Sequence, residues 1–242
     1  MAGSMVRADG RKADEIRGVR MMRDFVPYAE GSVLIEMGET KVLCNATIQR
    51  GAPRWMDQQG VIGGWVTAEY ALLPRSTQIR TARETDGLRG RTQEIRRLIG
   101  RSLRAGVALE KLGSRTVIVD CDVLQADGGT RAASVCGGYV ALALALRRLV
   151  QAGEVEPDVF LSPVAAVSVG MVDGVPLLDL CYSEDLRADV DVNVVINGEG
   201  KLIEVQGTAE GAPFSRDQFG TMLDLASLGI EKILAAQRDT LG

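Results

Sequence analysis

The chain has 242 residues, 46% of them hydrophobic, and no uninterrupted apolar run of membrane-spanning length. It is therefore expected to bury one large core, or two halves sharing one, outside a membrane. Histidine is absent, which excludes Ser-His-Asp and Cys-His hydrolysis and histidine-ligated zinc. What remains are nucleophiles that need no imidazole: inorganic phosphate, a magnesium-bound water, or a substrate already ionised. The net charge of −4 conceals an asymmetry, because Arg75 to Arg104 contains nine arginines, three acidic residues and no lysine, leaving the rest of the chain acidic.

Residues 1–8 read as a leader, with "MAGS" ahead of Met5 as a tag remnant, and the domain as residues 9–242. Ser32 to Ile48 predicts a hairpin around the Gly38-Glu39-Thr40 turn. A Gly- and Gln-rich loop is expected over 51–64, then a strand from Trp65 stopped by Pro74, then an arginine-rich loop to Asp86. From Arg91, apolar residues at Ile95, Leu98, Ile99, Leu103 and Val107 predict a helix with Arg97, Arg101 and Arg104 on its other side. Thr116 to Gln125 alternates as a strand, Gly128-Gly129 turns the chain, and Val135 to Val150 is long and apolar enough for a buried helix. The second half repeats this order. Pro163 to Leu180 predicts a hairpin turning at Asp173-Gly174, and Asp189 to Thr208 another turning near Asn197-Gly198. Ser215 and Gln218 are spaced as a capping box at the start of a C-terminal helix. The predicted fold is α+β, a single domain with two related βα halves at about 9–150 and 151–242. Cys44, Cys121, Cys136 and Cys181 lack CxxC spacing and are expected to be reduced and buried, as in a cytoplasmic protein.

Three segments could carry chemistry. The strand–glycine–helix junction "ADGGTRAAS" leaves backbone N–H groups available to an anion; equally, it reads as a tight turn with Thr130 as N-cap. The arginine-only segment suits forked contacts with phosphate or carboxylate, or else a solvated or ion-paired helix face. In "SEDLRADVDVNVV", Glu184, Asp185, Asp189 and Asp191 flank an apolar strand, with Asp189, Asp191 and Asn193 opposite Val190, Val192 and Val194. That is either a solvated acidic edge or a charged site.

Six stretches in order, "EGSVLIEMGETKVLCNATI", "TAEYALLPRST", "GRTQEIRRLIGRSLRA", "DCDVLQADGGTRAAS", "AAVSVGMVDG" and "EVQGTAEGAPFS", resemble the bacterial ribonuclease PH family from about Asp9 to the C-terminal helix. Ala132 and "QQGVIGGW" depart from the family pattern. The resemblance implies a two-layer βαβα fold and a homo-hexamer built as a trimer of dimers. It implies a phosphorolytic exonuclease acting on the 3′ ends of RNA, transfer RNA precursors above all, with inorganic phosphate as co-substrate. It further implies a phosphate site of Arg91, Gly129, Thr130 and Arg131, and a catalytic pair, Asp185 and Asp191, able to hold magnesium through oxygen ligands or to protonate the leaving oxygen. Arg75, Arg80 and Arg83 are expected to contact RNA or a neighbouring subunit. A non-catalytic RNA-binding ring subunit of an exosome-like complex is the competing reading, and such a subunit is expected to lack the GTR or the acidic pair.

Overall fold

The computed structural model describes Arg7 and residues 9–242; the rest of the expected leader lies outside the described residues. Among the described residues there are nine strands, most of them formed by alternating or continuous apolar runs: β1 Val19–Arg23, β2 Gly31–Met37, β3 Thr40–Arg50, β4 Trp65–Leu72, β5 Arg115–Gln125, β6 Val164–Val172, β7 Val175–Leu178, β8 Ala188–Asn197 and β9 Leu202–Ala209. Among the described residues there are also five α-helices, the first four between strands and the last after β9: α1 Arg54–Gln59, α2 Gly90–Arg104, α3 Thr130–Gln151, α4 Tyr182–Asp185 and α5 Arg216–Leu241.

The first five strands form one sheet in the order β1-β2-β3-β5-β4, and the last four another in the order β7-β6-β8-β9. β4 and β5 run parallel, so the chain must cross over between them, and α2 is that crossover. Elsewhere the pairing is antiparallel, between consecutive strands at β1-β2, β2-β3, β6-β7 and β8-β9 and between non-consecutive ones at β3-β5 and β6-β8. Asp173 and Gly174 both take positive φ, 51° and 76°, as the tight turn between β6 and β7 requires.

α3 carries small and aliphatic residues on nearly every side and is buried from Ala132 through Ala143. It packs against β2 and β3 of the first sheet and β6 of the second, so a single core runs through both halves. By length and composition α3 could cross a membrane, contrary to the sequence expectation, yet the sheets on either side enclose it. A core helix between two sheets must be apolar all round.

Four details differ from expectation. Residues 51–64 contain α1, closed by Gly60 in the left-handed region at φ 66°. β1 joins the sheet edge although its mixed sequence gives no alternation. α2 stops at Arg104, and Val107 instead bridges to Phe160. Arg7, placed in the leader by sequence, is buried, and its guanidinium grips both oxygens of Glu184 at 2.7 and 2.6 Å. All four cysteines are free and buried.

Candidate active site

α2 and α3 begin in the same way, and a cavity of about 550 Å³ lies where they converge. Neither helix has a side-chain cap, and each has arginine as its second residue, Arg91 and Arg131. By contrast, α5 is closed by reciprocal Ser215–Gln218 hydrogen bonds. Uncapped first-turn N–H groups, with the positive end of the helix dipole, favour an anion. Arg91, Gly128, Gly129, Thr130 and Arg131 all line this one cavity, as do Asp185 and Asp191.

Thr130 is not the N-cap that the turn reading assigned. Gly129 caps α3 with φ 63°, and Thr130 is the first helical residue. Its hydroxyl lies 2.9 Å from the Tyr70 Oη at the inner end of β4. Gly128 is required twice over. Its φ is 76°, and a Cβ there would come within 2.6 Å of the Leu180 carbonyl oxygen.

The turn is held from below. The Thr40 hydroxyl donates to the Gly128 carbonyl at 2.7 Å and accepts from the Asp127 N–H at 2.9 Å. Arg17 donates to the Asp127 carbonyl at 2.5 Å while its Nε and Nη2 grip the buried Asp179 carboxylate. Asp179 itself takes φ 53°, a strained conformation for a residue other than glycine.

The opposite wall comes from the second sheet. Alternation along β8 puts Asp191 and Asn193 in the cavity, while Val190, Val192 and Val194 are buried in the core. Asp185 reaches the same cavity from α4. Burial, reinforced by the charge of Asp185 and opposed by Arg131 and Arg91, pushes the Asp191 carboxyl up to about 6. Asp185 is raised as well, chiefly by burial, with both arginines opposing. Two carboxylates facing two guanidiniums are therefore arranged across one space.

Other candidates separate from this group. Glu184 turns inward to Arg7 and closes α4, and Asp189 is exposed outside the cavity. Arg80 lines the cavity, whereas Arg75 and Arg83 do not; Arg83 lies near enough to Asp122 on β5 to oppose the burial that raises that carboxyl. Much of the α2 basic face is engaged locally: Arg96 by Glu69, Arg101 by Glu204 at 2.9 Å, and Arg104 by the Trp65 ring at 4.4 Å. Tyr70, Ser168 and Tyr182, which sequence reasoning passed over, also line the cavity.

Family models match in two consecutive blocks, the 3′ exoribonuclease family domain 1 over residues 15–147 and domain 2 over 162–228. The chain belongs to the 3′ exoribonuclease family. Among its relatives, ribonuclease PH of Corynebacterium efficiens is 53% identical over 241 residues, covering 99% of this chain and 98% of that one. Ribonuclease PH of Moorella thermoacetica is 55% identical over 240 residues, with coverage of 98% and 95%. Among solved structures, an Archaeoglobus fulgidus exosome with RNA bound to the active site superposes with a TM-score of 0.81 at 24% identity, covering 96% of this chain and 92% of that one. Rice Rrp46 gives 0.78 at 18% identity, covering 97% and 99%. At these identities the two structures establish the shared family fold.

Proposed function

We propose that this cavity performs the family's phosphorolytic 3′ to 5′ exoribonuclease reaction, with Arg91, Gly129, Thr130 and Arg131 holding inorganic phosphate. An oxygen of that phosphate attacks the terminal phosphodiester. The new P–O–P bond forms as the bond to the penultimate O3′ breaks, and a nucleoside diphosphate leaves. Phosphate is already an anion at neutral pH, so no imidazole base is needed. The protein's task is positioning and charge stabilisation. Arg91 and Arg131 supply forked, charge-assisted donors to oxygens that otherwise repel the RNA phosphate.

The departing O3′ must gain a proton. Asp191, raised to about 6, is the carboxyl in the cavity able to exchange one near neutral pH, and we assign it that role. Among the described residues no group of three His, Cys, Asp or Glu side chains gathers around a point. Asp185, joined by Asp191 only while Asp191 is ionised, fits the sparser mode in which magnesium uses one or two carboxylates together with waters and substrate phosphates. When bound there, the ion would neutralise charge on the reacting phosphates.

The observation that carries this reading is the convergence of two arginine-bearing, uncapped helix starts on a raised carboxylate pair in one cavity. A non-catalytic ring subunit has no use for that pair. Transfer RNA precursors with 3′ extensions as substrate, a homo-hexameric ring and a cytoplasmic setting complete the proposal. The arginine-rich stretch from Arg75 to Arg104 supports an RNA substrate, and the four free, buried cysteines support the cytoplasmic setting. The test is release of nucleoside diphosphates from a 3′-tailed RNA only when phosphate is present.

A further inference from the structure

The charged floor of the cavity is assigned above, but three apolar side chains at the same cavity are not: Ile79, Tyr182 and Leu186, which are 86%, 46% and 67% exposed. Single exposed apolar residues are ordinary; three meeting around one charged cavity form a group. The backbone that carries each of them is hydrogen-bonded. The Ile79 carbonyl accepts from the Thr77 hydroxyl at 2.6 Å, and the Thr81 N–H ties the loop back to the Pro74 carbonyl at 2.8 Å. The Tyr182 N–H donates to Asp127 Oδ1 at 3.3 Å, beneath the glycine turn. Leu186 follows one turn later, its N–H donating to the Tyr182 carbonyl at 3.1 Å, so the two side chains share a face.

Tyr182 and Asp185 lie three residues apart on α4, and both line the cavity. Neighbours at that spacing sit about 5–6 Å apart at Cβ. One short helix thus sets an aromatic ring beside a carboxylate of the reacting site, within reach of the base of the nucleotide being released. We propose that Tyr182, flanked by Ile79 and Leu186, forms the slot for the nucleobase of the 3′-terminal nucleotide and grips it by stacking. This rests on the exoribonuclease reading and names which part of the RNA that site holds and how. Every base has a π-face, so a stacking slot accepts all four, as an enzyme that shortens RNA one residue after another requires. Of the two aromatic rings at the cavity, Tyr70 is buried and bonded to Thr130, which leaves Tyr182 as the ring a base can reach.

The test compares the wild type, Tyr182→Ala and Tyr182→Phe on RNAs that end in an ordinary nucleotide, in a terminal abasic nucleotide, or carry an abasic nucleotide at the penultimate position. The ring is half-exposed, so its removal leaves the core intact. Tyr182→Ala is expected to raise KM for RNA about tenfold, the effect of one lost stack, with kcat lowered by a much smaller factor and KM for phosphate unmoved. Tyr182→Phe restores the wild-type KM. Removing the terminal base should cost the wild type about the same tenfold and Tyr182→Ala almost nothing, because the two changes delete one interaction. Equal sensitivity of wild type and Tyr182→Ala to the terminal base, or sensitivity confined to the penultimate base, would overturn the slot. The reaction reading would survive that result as long as diphosphates were still released. Absence of phosphate-dependent release from every RNA would remove both.

Discussion

Arg17 grips both oxygens of Asp179, from Nε at 3.0 Å and Nη2 at 2.7 Å, while its third nitrogen holds the Asp127 carbonyl that opens the phosphate turn. Both side chains are at least 95% buried. The pair therefore ties the first strand region to the second sheet directly under Gly128 and Gly129. Removing Arg17 leaves the buried Asp179 carboxylate only Arg11, at 3.5 Å, and the residue-17 backbone N–H, so Arg17→Ala is expected to cost roughly 3 kcal/mol in urea unfolding, the low end for a broken buried pair. The double change Arg17→Met with Asp179→Asn should recover part of that stability but not the phosphate KM, because the Asp127 carbonyl stays unheld. Full recovery of both would show that the pair only stabilises the fold.

Asp191 gives a pH signature. Its carboxyl is raised from an ordinary 3.8 to about 6, by burial first and Asp185 second. The folded chain therefore favours the protonated form; that contribution is complete below pH 3.8 and is lost as pH rises through 6. Asp191→Asn is neutral throughout. In phosphate-free buffer it should be more stable than the wild type above about pH 6, by up to about 3 kcal/mol, and equal to it below about pH 4, while its turnover collapses. A stability difference independent of pH would contradict the environment described for this carboxyl.

The arginine loop divides. Arg80 lines the cavity and Arg83 does not. Arg80→Ala is expected to weaken RNA binding and to lower the salt dependence of affinity by about 0.7 in log–log slope, one phosphate contact with single-stranded RNA. Arg83→Ala should leave that slope nearly unchanged. Light scattering on the same samples reads whether Arg83, with Asp122, serves assembly. Identical slopes for both variants would return the loop to a single role.

Patterns that close over a few residues were legible in the sequence. The period of two put Asp189, Asp191 and Asn193 on one face of β8, of which Asp191 and Asn193 line the cavity and Asp189 lies outside it, and Ser215 with Gln218 marked the start of α5. The glycine pair marks a turn, but whether Thr130 or Gly129 caps α3 depends on φ at Gly129, which the sequence leaves open. The apolar period continued through Val107 although α2 had already ended, because a residue pairing with Phe160 also needs to be apolar. Contacts between distant segments left no local trace. Arg17 and Asp179 are 162 residues apart, and Tyr70 and Thr130 are 60 apart. Nothing in "LLDLCY" distinguishes the buried, positive-φ Asp179 from a surface carboxylate, and nothing in the leader marks Arg7 as the partner of Glu184.

The most direct measurement is the identity of the nucleotide released from a 3′-tailed RNA, with and without inorganic phosphate, by the wild type and by Arg91→Ala and Arg131→Ala. The account expects nucleoside diphosphates from the wild type, formed only when phosphate is present. Each arginine variant should raise KM for phosphate by roughly 10- to 100-fold, equivalent to the loss of one charge-assisted contact. Nucleoside monophosphates released at the same rate without phosphate would make the enzyme a hydrolase and contradict the central claim.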